Sequence, residues 1–159
     1  MSKRYLLIAA ACALGAAGLA QAQSAGAPSP AETVKWRQAS FMLSASDFGA
    51  MKHLADGPGE VKELTFNAAA LRRWAHVLPS TFPAGTGPDG GTPTRAKAEI
   101  WTDRAGFEKA AANYATEADK LFELAKANDK PGFVAQWAVV NGACNACHTA
   151  YRANPQPKS

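Results

Sequence analysis

Residues 129–152, DKPGFVAQWAVVNGACNACHTAYR, carry the pattern that decides the fold. Their apolar side chains are spaced alternately by four and three residues, which is the spacing of one stripe on an α-helix. The members of this stripe are Phe133, Trp137, Val140, Cys144, Cys147 and Tyr151. Pro131 suits the first turn of a helix. We therefore predict a helix from about Asp129 to Arg152 with this stripe turned inward.

The inward stripe contains Cys144-Asn145-Ala146-Cys147-His148, a match to C-x-x-C-H. This motif is the attachment signal for a covalently bound c-type haem. Two thiols one helical turn apart can add to the two vinyl groups of the porphyrin, and the next histidine is turned under the ring toward the iron. The motif predicts one haem c per chain, held by Cys144 and Cys147, with His148 as an iron ligand.

Three other interpretations of the two cysteines stay open. A redox dithiol is typical of a βαβ unit, and nothing around the motif resembles one. A zinc site needs a fourth ligand, and the other two histidines, His53 and His76, are far away in sequence. A plain disulfide between Cys144 and Cys147 would be short and strained. A colourless purified protein would indicate one of these three.

The N-terminal 22 residues have the features of a secretory signal peptide. A positively charged start is followed by an apolar stretch over residues 6–19 and by Ala20-Gln21-Ala22, which supplies the small residues of a cleavage site. The apolar run is too short to favour a transmembrane helix. We predict cleavage before Gln23, export to the periplasm, no membrane insertion after processing, and a single domain over residues 23–159.

The charge balance is close to neutral once the signal peptide is removed. The whole chain has a formal net charge of +4, and the mature chain has about +2. Two haem propionates would bring this value near zero. The charge therefore favours neither a nucleic acid nor an anionic membrane as a partner.

Three more amphipathic helices precede the one that carries the motif. The first begins with a capping box formed by Ser29 and Glu32 and runs to about Ala55; the second covers about residues 60–78 and the third about residues 103–127. Residues 80–98 are rich in Gly and Pro and are predicted to form a long loop. No segment has the two-residue alternation of a strand. These elements predict an all-α, antiparallel four-helix bundle with the haem in its core.

A second iron ligand would have to come from upstream, because the eleven residues after His148 include no methionine. The candidates are Met42, Met51, His53 and His76. On a helical wheel of the first helix with Phe41 at zero, Met42 lies about 100° away. Phe41, which cannot bind iron, is aimed most directly at the open face. This predicts a five-coordinate, high-spin iron, and a six-coordinate, low-spin iron bound by Met42 is the alternative.

From about residue 31 to residue 152 the sequence resembles the cytochrome c′ family. The resemblance rests on residues 144–152, which fit C-x-x-C-H-x-x-Y-R, and on VKWRQ at residues 34–38, FGAM at residues 48–51 and EIW at residues 99–101. The chain departs from the family pattern at Ser80, where many members have an aromatic residue after the proline.

The resemblance implies roles for five further residues. It implies that Arg37 and Gln38 approach the propionates and edge of the haem, and that Thr94 contacts the haem from the loop. It also implies that Phe41 covers the distal face and that Arg152 lies beside the proximal pocket. An arginine on an apolar stripe needs an anionic partner, which independently favours a propionate near Arg37. A solvent-directed Arg37 and an ordinary loop threonine at Thr94 stay open.

The function that the resemblance implies is a periplasmic haem protein that binds small gases, nitric oxide and carbon monoxide, and can carry electrons. Bound dioxygen needs a hydrogen-bond donor, which Phe41 lacks. The alternative is a plain electron carrier with Met42 on the iron. No nucleophile–base pair or phosphate-binding loop favours an enzyme, and the redox partner is not identifiable from the sequence.

The first helix also has a second apolar face. Trp36, Leu43 and Leu54 lie at about 200 to 220° on the same wheel, opposite the haem-facing stripe. Members of the resembled family often form antiparallel homodimers through this helix, so we expect a second copy to cover the face. Simple crowding of long side chains is the alternative.

Overall fold

The computed structural model describes residues 26–154, and these residues form an all-helical bundle. Its four long helices are α1 (Pro30–Asp56), α2 (Thr65–Val77), α3 (Arg104–Lys126) and α4 (Lys130–Tyr151). Between residues 26 and 154 there is no strand, only an isolated antiparallel bridge between Ala96 and Arg152. The predicted all-α four-helix bundle is therefore confirmed.

Short polar side chains fix where three of the helices begin. The Ser29 hydroxyl accepts the Glu32 N–H at 3.2 Å, and the Glu32 carboxylate accepts the Ser29 N–H at 2.8 Å, which completes the predicted capping box of α1. Asp129 caps α4 by accepting the Gly132 N–H at 3.0 Å, and Asp103 caps α3 in the same way. Each cap satisfies a backbone donor that the first turn of a helix leaves free.

The second helix differs from the prediction at both ends. Its α-helical part is shorter than residues 60–78, because 3₁₀ turns at Val61–Leu64 and Leu78–Thr81 flank it. Pro79 has no N–H to continue the α-helical hydrogen bonds, so the chain tightens into a 3₁₀ turn before it leaves the helix.

The segment predicted as a long loop contains some regular structure. It includes a 3₁₀ turn at Pro88–Gly90, and a single turn of α-helix, Glu99–Thr102, follows it. Asp103 ends that turn in a non-helical conformation and caps α3 at the same time. The loop is therefore a structured cap on the end of the bundle at which α4 finishes.

The predicted apolar stripes form the core. The members of the α2 and α3 stripes are all buried: Leu64, Ala68, Leu71, Ala75, Leu78, Phe107, Ala111, Tyr114, Ala118, Leu121 and Ala125. On α4, Phe133 and Val140 are fully buried, whereas Trp137, Cys144 and Tyr151 pack half-buried against the core. The α4 stripe thus becomes more open toward the two cysteines.

No helix within residues 26–154 is long and apolar enough to cross a membrane. The predicted signal peptide, residues 1–22, lies outside the described residues.

Candidate functional site

The last two turns of α4 bring the predicted attachment residues together. Cys144 and Cys147 are half-buried free thiols, and the Cys144 side chain packs against the core. His148 is half-buried on the same turn. Two thiols and one imidazole are thus presented from a single rigid helix.

Burial shifts the pKa values of these three groups. It raises the pKa of the Cys144 thiol to about 11, with a smaller contribution from Cys147, and it also raises the pKa of Cys147. The pKa of His148 is lowered, first by burial and then by the positive charges of Arg152 and Arg95. At neutral pH the thiols are therefore protonated and the imidazole is uncharged, the form in which histidine binds metals.

The Phe41 ring of α1 lies close to the imidazole of His148 on α4. The two ring centroids are 6.5 Å apart, with the ring planes at 60°. The Phe41 ring also meets Trp74 edge-to-face at 5.1 Å and Phe82 at 6.3 Å. The Phe41 ring therefore contacts three other aromatic rings, those of His148, Trp74 and Phe82.

Sequence reasoning missed two of these rings. Trp74 lies outside the buried stripe of α2 and is half-buried. Phe82 belongs to the Gly- and Pro-rich loop, yet it is only 6% exposed. Phe82 could have been identified from the sequence, because it lies two positions after Ser80 and the family pattern has an aromatic side chain in this part of the loop.

Arg37 is buried and has only neutral partners in the described chain. Its guanidinium donates from Nη1 to Thr81 O and Thr86 Oγ1 at 3.0 Å, and from Nη2 to Thr86 O at 3.0 Å and Thr94 Oγ1 at 3.2 Å. It also lies over the Phe82 ring, 4.2 Å from the centroid. Burial lowers its pKa to about 10. Carbonyl and hydroxyl oxygens therefore satisfy the guanidinium of Arg37 without an anion, which differs from the predicted need for an anionic partner.

Gln38 on α1 and Thr94 in the loop make further hydrogen bonds between these two segments. The Gln38 side chain donates to Pro93 O at 3.0 Å. The Thr94 hydroxyl accepts from Arg37 and also from the Ala96 N–H at 3.1 Å. The structure thus brings Arg37, Gln38 and Thr94 together at the junction of α1 and the loop.

Beyond His148 the end of α4 is tied to the loop. The Lys97 N–H donates to Tyr151 O at 3.0 Å, and the Ala153 N–H donates to Arg95 O at 2.8 Å. The Lys97 ammonium caps the last carbonyls of α4, at 2.9 Å from Thr149 O and 3.2 Å from Ala150 O. The Arg152 side chain between these contacts is exposed.

The four upstream candidates for a second ligand lie away from this space. Met42 is 75% exposed, and Met51 is completely buried in the core. His53 is exposed near the end of α1, and the Nε2 of His76 lies 2.9 Å from the Asp119 carboxylate between α2 and α3. In the described part of the chain no three His, Cys, Asp or Glu side chains are grouped to hold a metal ion.

The residues at the end of α4 and the side chains around them fit a covalently bound haem. The two thiols and the imidazole have the spacing that the attachment chemistry requires. The apolar rings suit a porphyrin face, and the polar group of Arg37, Gln38 and Thr94 suits its charged edge.

Comparisons with known proteins agree with this arrangement. The sequence model of the Cytochrome C' family matches residues 32–152. A cytochrome c' from Rubrivivax gelatinosus is 33% identical over 125 residues, which cover 77% of this chain and 95% of the relative. A cytochrome c' from Alcaligenes xylosoxydans xylosoxydans is also 33% identical over 125 residues, covering 77% of this chain and 94% of the relative.

Solved structures are similar over the same region. The crystal structure of cytochrome c' from Rubrivivax gelatinosus has a TM-score of 0.71 and 32% identity, covering 77% of this chain and 96% of that chain. A nitric oxide complex of a variant cytochrome c prime from Alcaligenes xylosoxidans has a TM-score of 0.73 and 29% identity, covering 81% of this chain and 99% of that chain.

Proposed function

Because the chain belongs to the cytochrome c′ family, we propose that it is an exported haem protein that binds nitric oxide and carbon monoxide. Membership of the family implies a covalently bound c-type haem. In this proposal residues 1–22 direct the chain to the periplasm and are removed, and residues 23–159 form the single mature domain. The observation that carries the proposal is the position of Phe41, whose ring lies 6.5 Å from that of His148.

Cys144 and Cys147 would hold the haem through thioether bonds, and His148 would bind the iron from the proximal side. When bound, the haem supplies an iron at which diatomic gases can coordinate. All three side chains are half-buried, which supports these roles because each still has an open side at which a cofactor could be attached. Arg152 would lie beside the proximal pocket, one turn after His148.

Phe41 would cover the distal side and keep it apolar. Its phenyl ring has no hydrogen-bond donor for bound dioxygen and no atom that binds iron. Met42 points outward, since three quarters of it is exposed. These facts support a five-coordinate, high-spin iron over a six-coordinate one. Ligation by Met42 would require α1 to turn by about 100° about its axis.

Arg37, Gln38 and Thr94 would hold the charged edge of the haem. Arg37 retains its charge at neutral pH even though burial lowers its pKa to about 10. A propionate could replace one of its neutral partners, because a charge-assisted bond to a carboxylate is stronger than one to a carbonyl. We assign no catalytic residue, and electron transfer would be a property of the haem rather than of a second site.

The test is the absorption spectrum of the purified ferrous protein, recorded before and after addition of carbon monoxide. A broad high-spin spectrum that sharpens with carbon monoxide is the expected result. A sharp low-spin spectrum that does not respond to carbon monoxide would instead indicate an electron carrier with a second protein ligand. A colourless protein, produced where haem attachment operates, would contradict haem binding itself.

Two variants identify the residue over the iron. Replacing Phe41 by Ala should speed carbon monoxide binding, since no ring then has to move. Replacing Met42 by Leu is the matched control on the neighbouring position and should leave the spectrum high-spin and the binding rate unchanged. A spectrum that changes from low-spin to high-spin in Met42→Leu would overturn the five-coordinate proposal.

The outer face of α1 would form the interface of a homodimer. Trp36, Leu43 and Leu54 are 59%, 72% and 55% exposed, so the face predicted from the wheel is uncovered within one chain. Large apolar side chains grouped on one helix face favour contact with a partner that has the same chemistry. A second copy of this helix would supply such a partner.

A further inference from the structure

The ring of Phe41 lies between two other rings that are held in different ways, Phe82 in the loop and Trp74 on α2. Phe82 is 6% exposed and meets Phe107 at 5.0 Å and Trp101 at 6.1 Å. The Arg37 guanidinium lies 4.2 Å from the centre of its ring. Phe82 therefore has packing partners on several sides.

The backbone of Phe82 is also fixed. Its N–H donates to Pro79 O at 3.3 Å, and its carbonyl accepts from Arg104 Nη1 at 3.2 Å. Arg104 also binds Pro79 O at 3.0 Å, and Arg37 binds Thr81 O at 3.0 Å. Two arginines thus hold the backbone of this short segment from two sides.

Trp74 packs against the core but has fewer aromatic and hydrogen-bond contacts than Phe82. It is half-buried, and its one aromatic contact within residues 26–154 is Phe41 itself, at 5.1 Å and 86°. Its indole N–H makes no hydrogen bond to a residue of the described chain. By contrast, Trp101 donates to Pro83 O at 3.0 Å and Trp137 donates to Phe48 O at 2.9 Å. Of these three indoles, Trp74 can change its rotamer at the smallest cost.

A gas that enters opposite His148 has to displace the Phe41 ring. The backbone of Phe41 is part of a continuous α-helix, so the displacement is a rotation of the side chain. Of the two rings that meet Phe41 beside His148, Phe82 is buried with several partners, whereas Trp74 is half-buried with fewer aromatic and hydrogen-bond contacts. We propose that Trp74 is the positioning residue that determines how readily Phe41 yields to an entering ligand, and hence which ligand sizes are admitted.

This inference rests on the proposed function of Phe41 and is tested on the haem-loaded mature protein. Carbon monoxide is photolysed from the ferrous protein, and its rebinding rate is measured for Trp74→Leu, Phe82→Leu and Phe66→Leu. Trp74→Leu should bind about three to ten times faster, because one aromatic pair no longer opposes the rotation. Phe66, 79% exposed on the same helix, is the matched control and should show the parent rate.

Phe82→Leu should give a smaller rise in rate and a lower melting temperature than Trp74→Leu, since it removes packing from a buried site. The binding rate of an alkyl isocyanide, which is bulkier than carbon monoxide, should rise more in Trp74→Leu than the binding rate of carbon monoxide does. Crystal structures with and without carbon monoxide give a readout independent of rates. The Trp74 side chain should change position between them, and Phe82 should not.

The outcomes separate the two proposals. If Phe41→Ala binds carbon monoxide faster but Trp74→Leu does not, the role of Trp74 is wrong and the proposed function stands. If neither variant changes the rate, Phe41 is no barrier to the entering ligand, and both the proposed covering role of Phe41 and the role of Trp74 are wrong. A rise with Phe82→Leu as large as that with Trp74→Leu would overturn the difference between the two rings. If Trp74→Leu does not take up haem, Trp74→Phe and the crystal structures decide the question.

Discussion

The guanidinium of Arg37 lies over the face of Phe82, 4.2 Å from the ring centre, and donates four hydrogen bonds to the loop that carries this ring. A charged side chain of α1 therefore orders both an apolar wall of the site and the polar edge beside it. The cation is also attracted electrostatically by the face of the ring.

Replacing Arg37 by Met should lower the free energy of unfolding by about 2 to 3 kcal/mol, since buried oxygens of Thr81 and Thr86 lose their donor. Denaturant titration of the haem-loaded protein measures the change. Arg104→Met is the matched control, because Arg104 hydrogen-bonds the same segment but its side chain is 37% exposed. This variant should lower the free energy of unfolding by only about 1 kcal/mol. Equal losses of unfolding free energy in the two variants would show that the burial of Arg37 makes no extra contribution to stability.

Replacing Lys97 by Met should loosen the last turn of α4. The Lys97 ammonium satisfies two carbonyls at the negative end of the helix, a contact worth about 0.5 to 1 kcal/mol. We expect faster hydrogen exchange at the Arg152 amide, which donates to His148 O. Lys109→Met, on the exposed face of α3, should leave that exchange rate unchanged. An unaltered rate in Lys97→Met would mean that the backbone pairing alone holds the helix end.

Replacing Leu43 by Glu should dissociate the proposed dimer. A charge in the middle of the exposed α1 face would have to be buried against its own copy, which should weaken association by at least about tenfold. Sedimentation velocity over a range of concentrations measures the change. Val139→Glu, at a site on α4 that is 49% exposed, should leave association unaltered. If the parent protein sediments as a monomer at all concentrations, the dimer proposal is wrong.

Replacing Glu117 by Gln should reduce stability at neutral pH but not in acid. Hydrogen bonds from Lys120 and Gln136 lower the pKa of Glu117 below 4.5. A carboxylate whose folded pKa is lowered stabilises the protein above its unfolded pKa, and this contribution is lost as the pH falls through the folded value. The difference in urea midpoint between the parent and the variant should therefore shrink below pH 4.5. Glu99→Gln, at an exposed site, serves as the control, and a pH-independent difference for Glu117→Gln would contradict the assignment.

The helices and their inward faces were predictable because they depend on local patterns. The alternation of four and three residues identified the buried stripes of α2, α3 and α4. Ser29 and Asp129 marked helix starts through hydrogen bonds within four residues of the cap. On α1 the wheel separated Met42 from Phe41 by about 100° and left ligation by Met42 open, and Met42 is 75% exposed.

The loop and its aromatic ring were not predictable in the same way. Residues 80–98 have no periodicity, and their conformation depends on hydrogen bonds from Arg37, Gln38 and Arg104, which lie far away in sequence. The sequence indicated that Arg37 needed a partner but not that neutral oxygens would serve. The burial of Phe82 depends on the same distant contacts, so no local pattern indicated it.

The tie between the loop and the end of α4 has a consequence for how the chain folds. The helices α3 and α4 are joined by a short turn and can pair early, since contacts between near neighbours in sequence form quickly. The walls of the site need contacts over much longer spans, such as Arg37 to Thr94, 57 residues apart, and Arg95 to Ala153, 58 residues apart. We therefore expect the pocket to close late in folding, which would leave the two cysteines accessible until it does.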